Sequence, residues 1–113
     1  MAGPYADYAV KAPNLMLTTT STELGKFFVP SHVGDELLQI QIHTEGTNLL
    51  KAVIRINNQV VLSYGPSSTN MTRMLQEVFT GKLVTGTNII TGEVLSGTGF
   101  LTVKSFAVWW QTN

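Results

Sequence analysis

The segment that most constrains this chain is its last one, Phe100–Trp110. Read with the two-residue period of a strand, Leu101, Val103, Ala107 and Trp109 fall on one side. Phe100, Phe106, Val108 and Trp110 fall on the other. A strand that is apolar on both sides has to be covered on both sides. One sandwich provides one cover, so the second is expected from another copy of the chain. Trp109 and Trp110, being neighbours, face opposite ways: one is expected in the core, the other at an interface or exposed.

The remaining sequence fits the same class. Stretches long enough for a helix are interrupted by Gly, Pro or runs of β-branched residues. Short apolar pieces alternate with turn residues at about 8–12 positions, the spacing of an all-β sandwich or barrel. The stretch up to Pro13 is turn-rich and carries Tyr5 and Tyr8. A strand is expected around Leu15 and Leu17, and a short apolar piece at Phe27–Val29. His32–Asp35 reads as a loop. Leu38, Ile40 and Ile42 alternate with Gln39, Gln41 and His43 in the clearest strand, followed by a turn at Glu45–Asn48. Lys51–Ile56 and Gln59–Tyr64 flank Asn57-Asn58, and Asn accepts the positive φ of a tight hairpin. Gly65–Asn70 reads as a loop, Arg73–Phe79 and Asn88–Val94 as strands, and Ser96–Gly99 as a hairpin turn into the last strand. One domain spanning residues 1–113 is expected.

Only 12% of the residues are charged, and seven basic residues cancel seven acidic ones. So little charge fits a surface partly covered by other subunits. The basic residues are scattered, which argues against nucleic acid and against electrostatic membrane contact. No apolar run approaches the ~18 residues of a membrane span, and no signal peptide is visible. The expected place of synthesis is the cytoplasm, with release or surface association left open. Cysteine is absent, excluding disulfides and thiolate metal sites. His32 and His43 lack ligand-type spacing, and no metal or other cofactor is expected. Asp35-Glu36 reads as a solvated turn, with an ion-binding role left open. No Gly-x-Ser-x-Gly, His-Glu-x-x-His or phosphate loop occurs, so no catalytic residues are expected and the chain reads as a binding protein, not an enzyme.

Several stretches carry a family resemblance. They are Gly86–Val94 with the later Leu101–Ala107, Lys11-Ala12-Pro13, Asp35–Ile40, and Ser63-Tyr64 followed by Thr72-Arg73-Met74. Together they resemble the TNF/C1q-type jelly roll, and more narrowly the small bacterial TNF-like lectin domain that binds fucosylated glycans. The resemblance implies a jelly-roll β-sandwich and a homotrimer with sugar sites at subunit interfaces. Ser63, Tyr64 and Arg73 match its sugar-contacting positions; Asn70, with Thr72 beside it, falls near a hydroxyl-bearing one. The chain departs from the family twice: a second arginine meets Gly97 or a gap, and a tyrosine meets Lys51 or Leu50.

A sugar site needs fixed donors and acceptors and an apolar plate. Arg offers a rigid donor fork, Ser, Thr and Asn add neutral partners, and Tyr offers plate and hydroxyl together. The stretch from Ser63 to Arg73 contains all of these, although the same residues also fit an ordinary solvated loop. The expected function is carbohydrate binding by a homotrimer. The alternative is an assembly module, such as a phage or viral decoration or fibre-tip protein. A cytokine-type ligand with protein partners is a third reading.

Overall fold

The computed structural model describes residues 7–112. Tyr5 and the turn-rich positions before it lie outside the described residues. Seven strands form: β1 (Asp7–Lys11), β2 (Leu15–Met16), β3 (Thr22–Val29), β4 (His32–Ile56), β5 (Gln59–Ser67), β6 (Thr72–Thr80) and β7 (Gly86–Thr112). There is no helix among the described residues. All pairing is antiparallel.

The chain pairs with itself as one long hairpin, from the outside inward. β1 pairs the end of β7, β3 pairs its beginning, β6 pairs the first half of β4, and β5 pairs the second half. The tip of this hairpin is Asn57-Asn58, where both residues take positive φ (52° and 66°) as a two-residue turn demands. β4 and β7 remain paired along almost their whole length, so both are bent over together. The bend creates two layers. One has the order β1, end of β7, first half of β4, β6, with β2 extending the β1 edge; the other has β3, start of β7, second half of β4, β5. This pairing order is a jelly-roll β-sandwich.

The corners fall where the sequence shows Glu45–Asn48 and Ser96–Gly99, and the ladder shifts register between Glu45/Asn48, Asn48/Lys51 and Lys51/Ala52. They are therefore crossings between layers, not hairpin turns. Gly97 takes φ 82°, and a Cβ there would lie 2.1 Å from the Leu49 carbonyl oxygen. A Cβ on Gly99 would lie 2.6 Å from Thr47 Cα. Two backbones turn the corner in direct contact, which only glycine permits.

The core fills the space between the layers. Leu38, Ile40 and Ile42 alternate inward as the sequence indicates, with Leu50, Ile54, Ile56, Ile90, Leu101 and Val103. The final strand departs from its two-residue period. Gln41 pairs Ser105 and Ile42 pairs Val103, so Lys104 is an extra residue, a β-bulge. Beyond it the facing reverses. Phe106, Val108 and Trp110 join Leu101 and Val103 inside, while Phe100, Ala107 and Trp109 lie outside. The bulge thus moves most of the expected second apolar face into the protein's own core. Trp109 stacks under Tyr8 with ring centroids 4.5 Å apart, and its Nε1 donates to Gln39 Oε1 at 2.8 Å.

One end of the sandwich is polar inside. Glu36, expected on a solvated turn, is 1% exposed on β4. Its Oε1 accepts the Lys82 and Leu83 backbone N–H groups (3.1 and 3.3 Å), and its Oε2 faces His32 Nε2 at 3.7 Å. Asp35 accepts the Thr80 hydroxyl at 2.7 Å. Asn88, fully buried, spends all of its hydrogen-bonding capacity. Its amide donates to the Val84 and Gly86 carbonyls, and its oxygen accepts from Val84 N and Asn57 Nδ2. The segment between β6 and β7 is therefore pinned by side chains in place of a ladder. His32–Asp35 is the start of β4 with an irregular register, not a loop.

Candidate functional site

β5 and β6 follow each other in the chain yet sit on the edges of different layers. The sandwich is open between them. There a groove of about 450 Å³ is lined by Leu62–Ser67 on β5 and by Arg73 and Leu75–Glu77 on β6. Strand periodicity determines who faces it. Arg73, Leu75 and Glu77 pair with Ile42, Ile40 and Leu38, whose side chains point to the core. On an interior strand these three positions would be buried. On the edge strand only Leu75 packs against the core, and Arg73 and Glu77 stay exposed. Gln76, on the outer side, accepts from Gln39 Nε2 at 3.3 Å and reaches the rim.

The one Lys/Arg ion pair among the described residues is Arg55–Glu93, and the contacts His32–Glu36 and His43–Glu45 are ionic only with a protonated ring, so neither Arg73 nor Glu77 is engaged in any of them. Four residue steps along the strand place the two about 13 Å apart, too far for mutual neutralisation by direct contact. Arg73 Nε donates only to Met71 Sδ, at 3.2 Å. The groove thus has a donor fork and a carboxylate on its β6 side, the Ser63 and Ser67 hydroxyls on its β5 side, and Leu75 and Pro66 as apolar lining. Such a set can hold a ligand bearing hydroxyl groups along an apolar edge.

Of the five residues singled out in the sequence, Ser63, Tyr64 and Arg73 line this groove. Tyr64 does so from within the core: it is 6% exposed, and its ring lies with Ile40, Ile42, Ile54 and Leu75 around a small internal void. It offers no sugar-stacking plate, because its strand position points inward. Asn70 is occupied elsewhere, its oxygen accepting from Thr47 N (3.0 Å) and Thr47 Oγ1 (2.7 Å) to tie the 68–71 loop to the β4 corner. Thr72 lies on the outer face, 2.7 Å from His43 Nδ1. Leu50 is core, and Gly97 is the corner glycine. Sequence reasoning missed Ser67, Leu75, Gln76 and Glu77. The signal was present, since Arg73, Leu75 and Glu77 share one strand face, but nothing in the sequence marked β6 as an edge.

The Tyr64 hydroxyl is buried without a hydrogen-bond partner among the described residues. Tyr64→Phe is therefore expected to be neutral or to stabilise the fold by up to about 1 kcal/mol in urea denaturation. A loss of more than that would mean the hydroxyl is engaged.

Among the described residues no group of three or more His, Asp or Glu side chains comes together as a metal site, and no helix is long and apolar enough to cross a membrane. The chain matches no protein-family model and no curated protein. Among solved structures it resembles dimeric latent PorU from Porphyromonas gingivalis, with a TM-score of 0.72 at 8% identity. The match covers 95% of this chain and 13% of that one, so the chain spans a small fraction of that protein's length. That likeness establishes a shared fold. A family 35 carbohydrate binding module from an environmental isolate superposes more loosely, with a TM-score of 0.45 at 18% identity over 89% of this chain and 64% of that one.

Proposed function

We propose that this chain is a non-catalytic carbohydrate-binding domain that holds a glycan in the groove between β5 and β6. The supporting observation is the groove's chemistry: the Arg73 guanidinium and the Glu77 carboxylate, neither in an ion pair, line it with Ser63, Ser67, Leu75 and Pro66. Each polar group matches a hydroxyl, and Leu75 and Pro66 match a sugar's C–H face. Fucosylated glycans are the first class to try, on the sequence resemblance to trimeric TNF-like lectins.

The proposal includes self-association, with a trimer as the expected state. Its support is the outer face of the layer containing β1 and β6. Tyr8, Val10, Met74 and Val78 are exposed there among neutral polar side chains such as Gln39 and Gln41. Several weak sites on one rigid body would raise avidity on a glycan-dense surface.

Glycan-array binding followed by Arg73→Ala tests the reading. The variant is expected to lose at least about tenfold in affinity, since its donor fork contributes charge-assisted bonds, while its sedimentation is unchanged. Undiminished binding by Arg73→Ala would place the glycan elsewhere. An array without a hit, from folded protein, would favour the assembly-module alternative, for which the exposed apolar side chains of the outer face serve equally well.

A further inference from the structure

A second cavity lies on that outer face, close to the corner and separate from the groove. Its volume is about 380 Å³, and Met16, His43, Glu45, Phe100 and Thr102 line it. The register explains the cluster: Glu45 pairs with Phe100, His43 with Thr102, and Met16 with Thr102 on its other side. Phe100 is 58% exposed and Met16 46%, so an aromatic ring and a thioether side chain stand open to solvent beside a carboxylate.

The polar partners are oriented before any ligand arrives. His43 Nε2 lies 2.9 Å from Glu45 Oε1, and His43 Nδ1 lies 2.7 Å from Thr72 Oγ1. In the neutral ring, Nε2–H donates to Glu45 and the Thr72 hydroxyl donates to Nδ1. Each ring nitrogen is then engaged, and one Glu45 oxygen is held in place while the other remains open. The hydrogen-bonding capacity left in the cavity is therefore mostly that of an acceptor. Thr102 is the one lining side chain with a donor not engaged by its neighbours. A polyhydroxylated sugar is met best by several donors and acceptors together, as in the groove, whereas this cavity has the Thr102 hydroxyl as its one free donor.

We infer that the cavity binds an alkylammonium group, in which a positive charge is wrapped in methyl or methylene groups. The Glu45 carboxylate supplies the counter-charge, Phe100 its negative ring face, and Met16 an apolar wall. Aromatic faces attract such cations weakly at exposed sites and more strongly as water is excluded. A quaternary ammonium fits particularly well, because it asks for no directed acceptor.

The probe is choline, titrated while backbone amide resonances are followed by NMR, with its uncharged isostere 3,3-dimethylbutan-1-ol as control. Choline is expected to shift the amides of Phe100, Thr102 and Glu45 saturably, with the neutral alcohol at least about fivefold weaker. Phe100→Ala and Glu45→Gln should each weaken choline by roughly fivefold. Arg73→Ala should leave choline binding unchanged, which separates this site from the glycan groove. Equal affinity for the two probes would show a merely apolar hollow and overturn the inference, as would saturable shifts that survive both Phe100→Ala and Glu45→Gln. Absence of saturable shifts in the folded protein would overturn it too.

Discussion

Gly97→Ala is expected to cost about 4 kcal/mol or more and to leave much of the chain unfolded at room temperature, in a domain class whose whole stability is about 5–15 kcal/mol. Two costs combine. The backbone at Gly97 has φ 82°, a region that L side chains occupy at a cost of roughly 1–2 kcal/mol. The new methyl would also stand 2.1 Å from the Leu49 carbonyl oxygen and 2.7 Å from Leu50 Cα, so the two corner backbones would have to part. Leu50 is fully buried, and moving it disturbs the packing between the layers. Gly46→Ala is the control. Gly46 also has positive φ (61°) but nothing lies within 4 Å of its Cβ direction, so it should lose only the backbone cost of about 1–2 kcal/mol. Urea denaturation of the pair measures the difference. Equal losses would show that the corners of β4 and β7 do not touch.

Asn88→Ala is expected to remove about 3 kcal/mol, more than most single changes outside a hydrophobic core. The side chain is fully buried and its amide joins Val84 N, Val84 O, Gly86 O and Asn57 Nδ2, at 2.8 to 3.1 Å. Alanine leaves these groups without their partner in a site that water enters only if the loop opens. Asn88→Asp should be worse, because it keeps the acceptor and turns a carboxylate oxygen toward two carbonyls. The loss should be local first. Hydrogen exchange at the Val84 amide should accelerate most, whereas the Lys82 and Leu83 amides, held by Glu36, should keep more of their protection. Uniform acceleration across all three amides would mean that Glu36 and Asn88 act as one unit.

Local patterns made part of this architecture legible. The alternation through Leu38–His43 and the paired Asn57-Asn58 carry short-range physics, and both appear as read. The Lys104 bulge was not legible. Its one mark is the adjacent polar pair Lys104-Ser105, which equally fits an unbroken strand with two polar positions, yet one residue added to one strand reverses the facing of every later side chain. That is why a strand apolar on both sides in the sequence becomes one largely devoted to its own core. Glu36, read as part of a turn, was unreadable because the amides it accepts from, Lys82 and Leu83, come from a distant part of the chain; Asn88 bonds mainly to the nearby Val84 and Gly86, and what the sequence did not mark is that this loop closes on a buried side chain. At the groove, Ser63 and Arg73 could be paired by their chemistry. The inward aim of Tyr64 and the engagement of Asn70 and Thr72 depend on register, which single residues do not announce.

The outermost rung of the rolled hairpin joins Asp7 to Trp110, and rungs of this kind set partner Cα atoms only about 5 Å apart. β7 runs on for two residues past that rung, to Thr112 beside His32, so the chain enters and leaves the sandwich within a few residues of one rung. A host protein could carry such a unit within a surface loop with almost no stretching of its own framework. Conversely, joining the two ends and cutting at the exposed Asn58 would give a permuted chain whose strands meet the same neighbours.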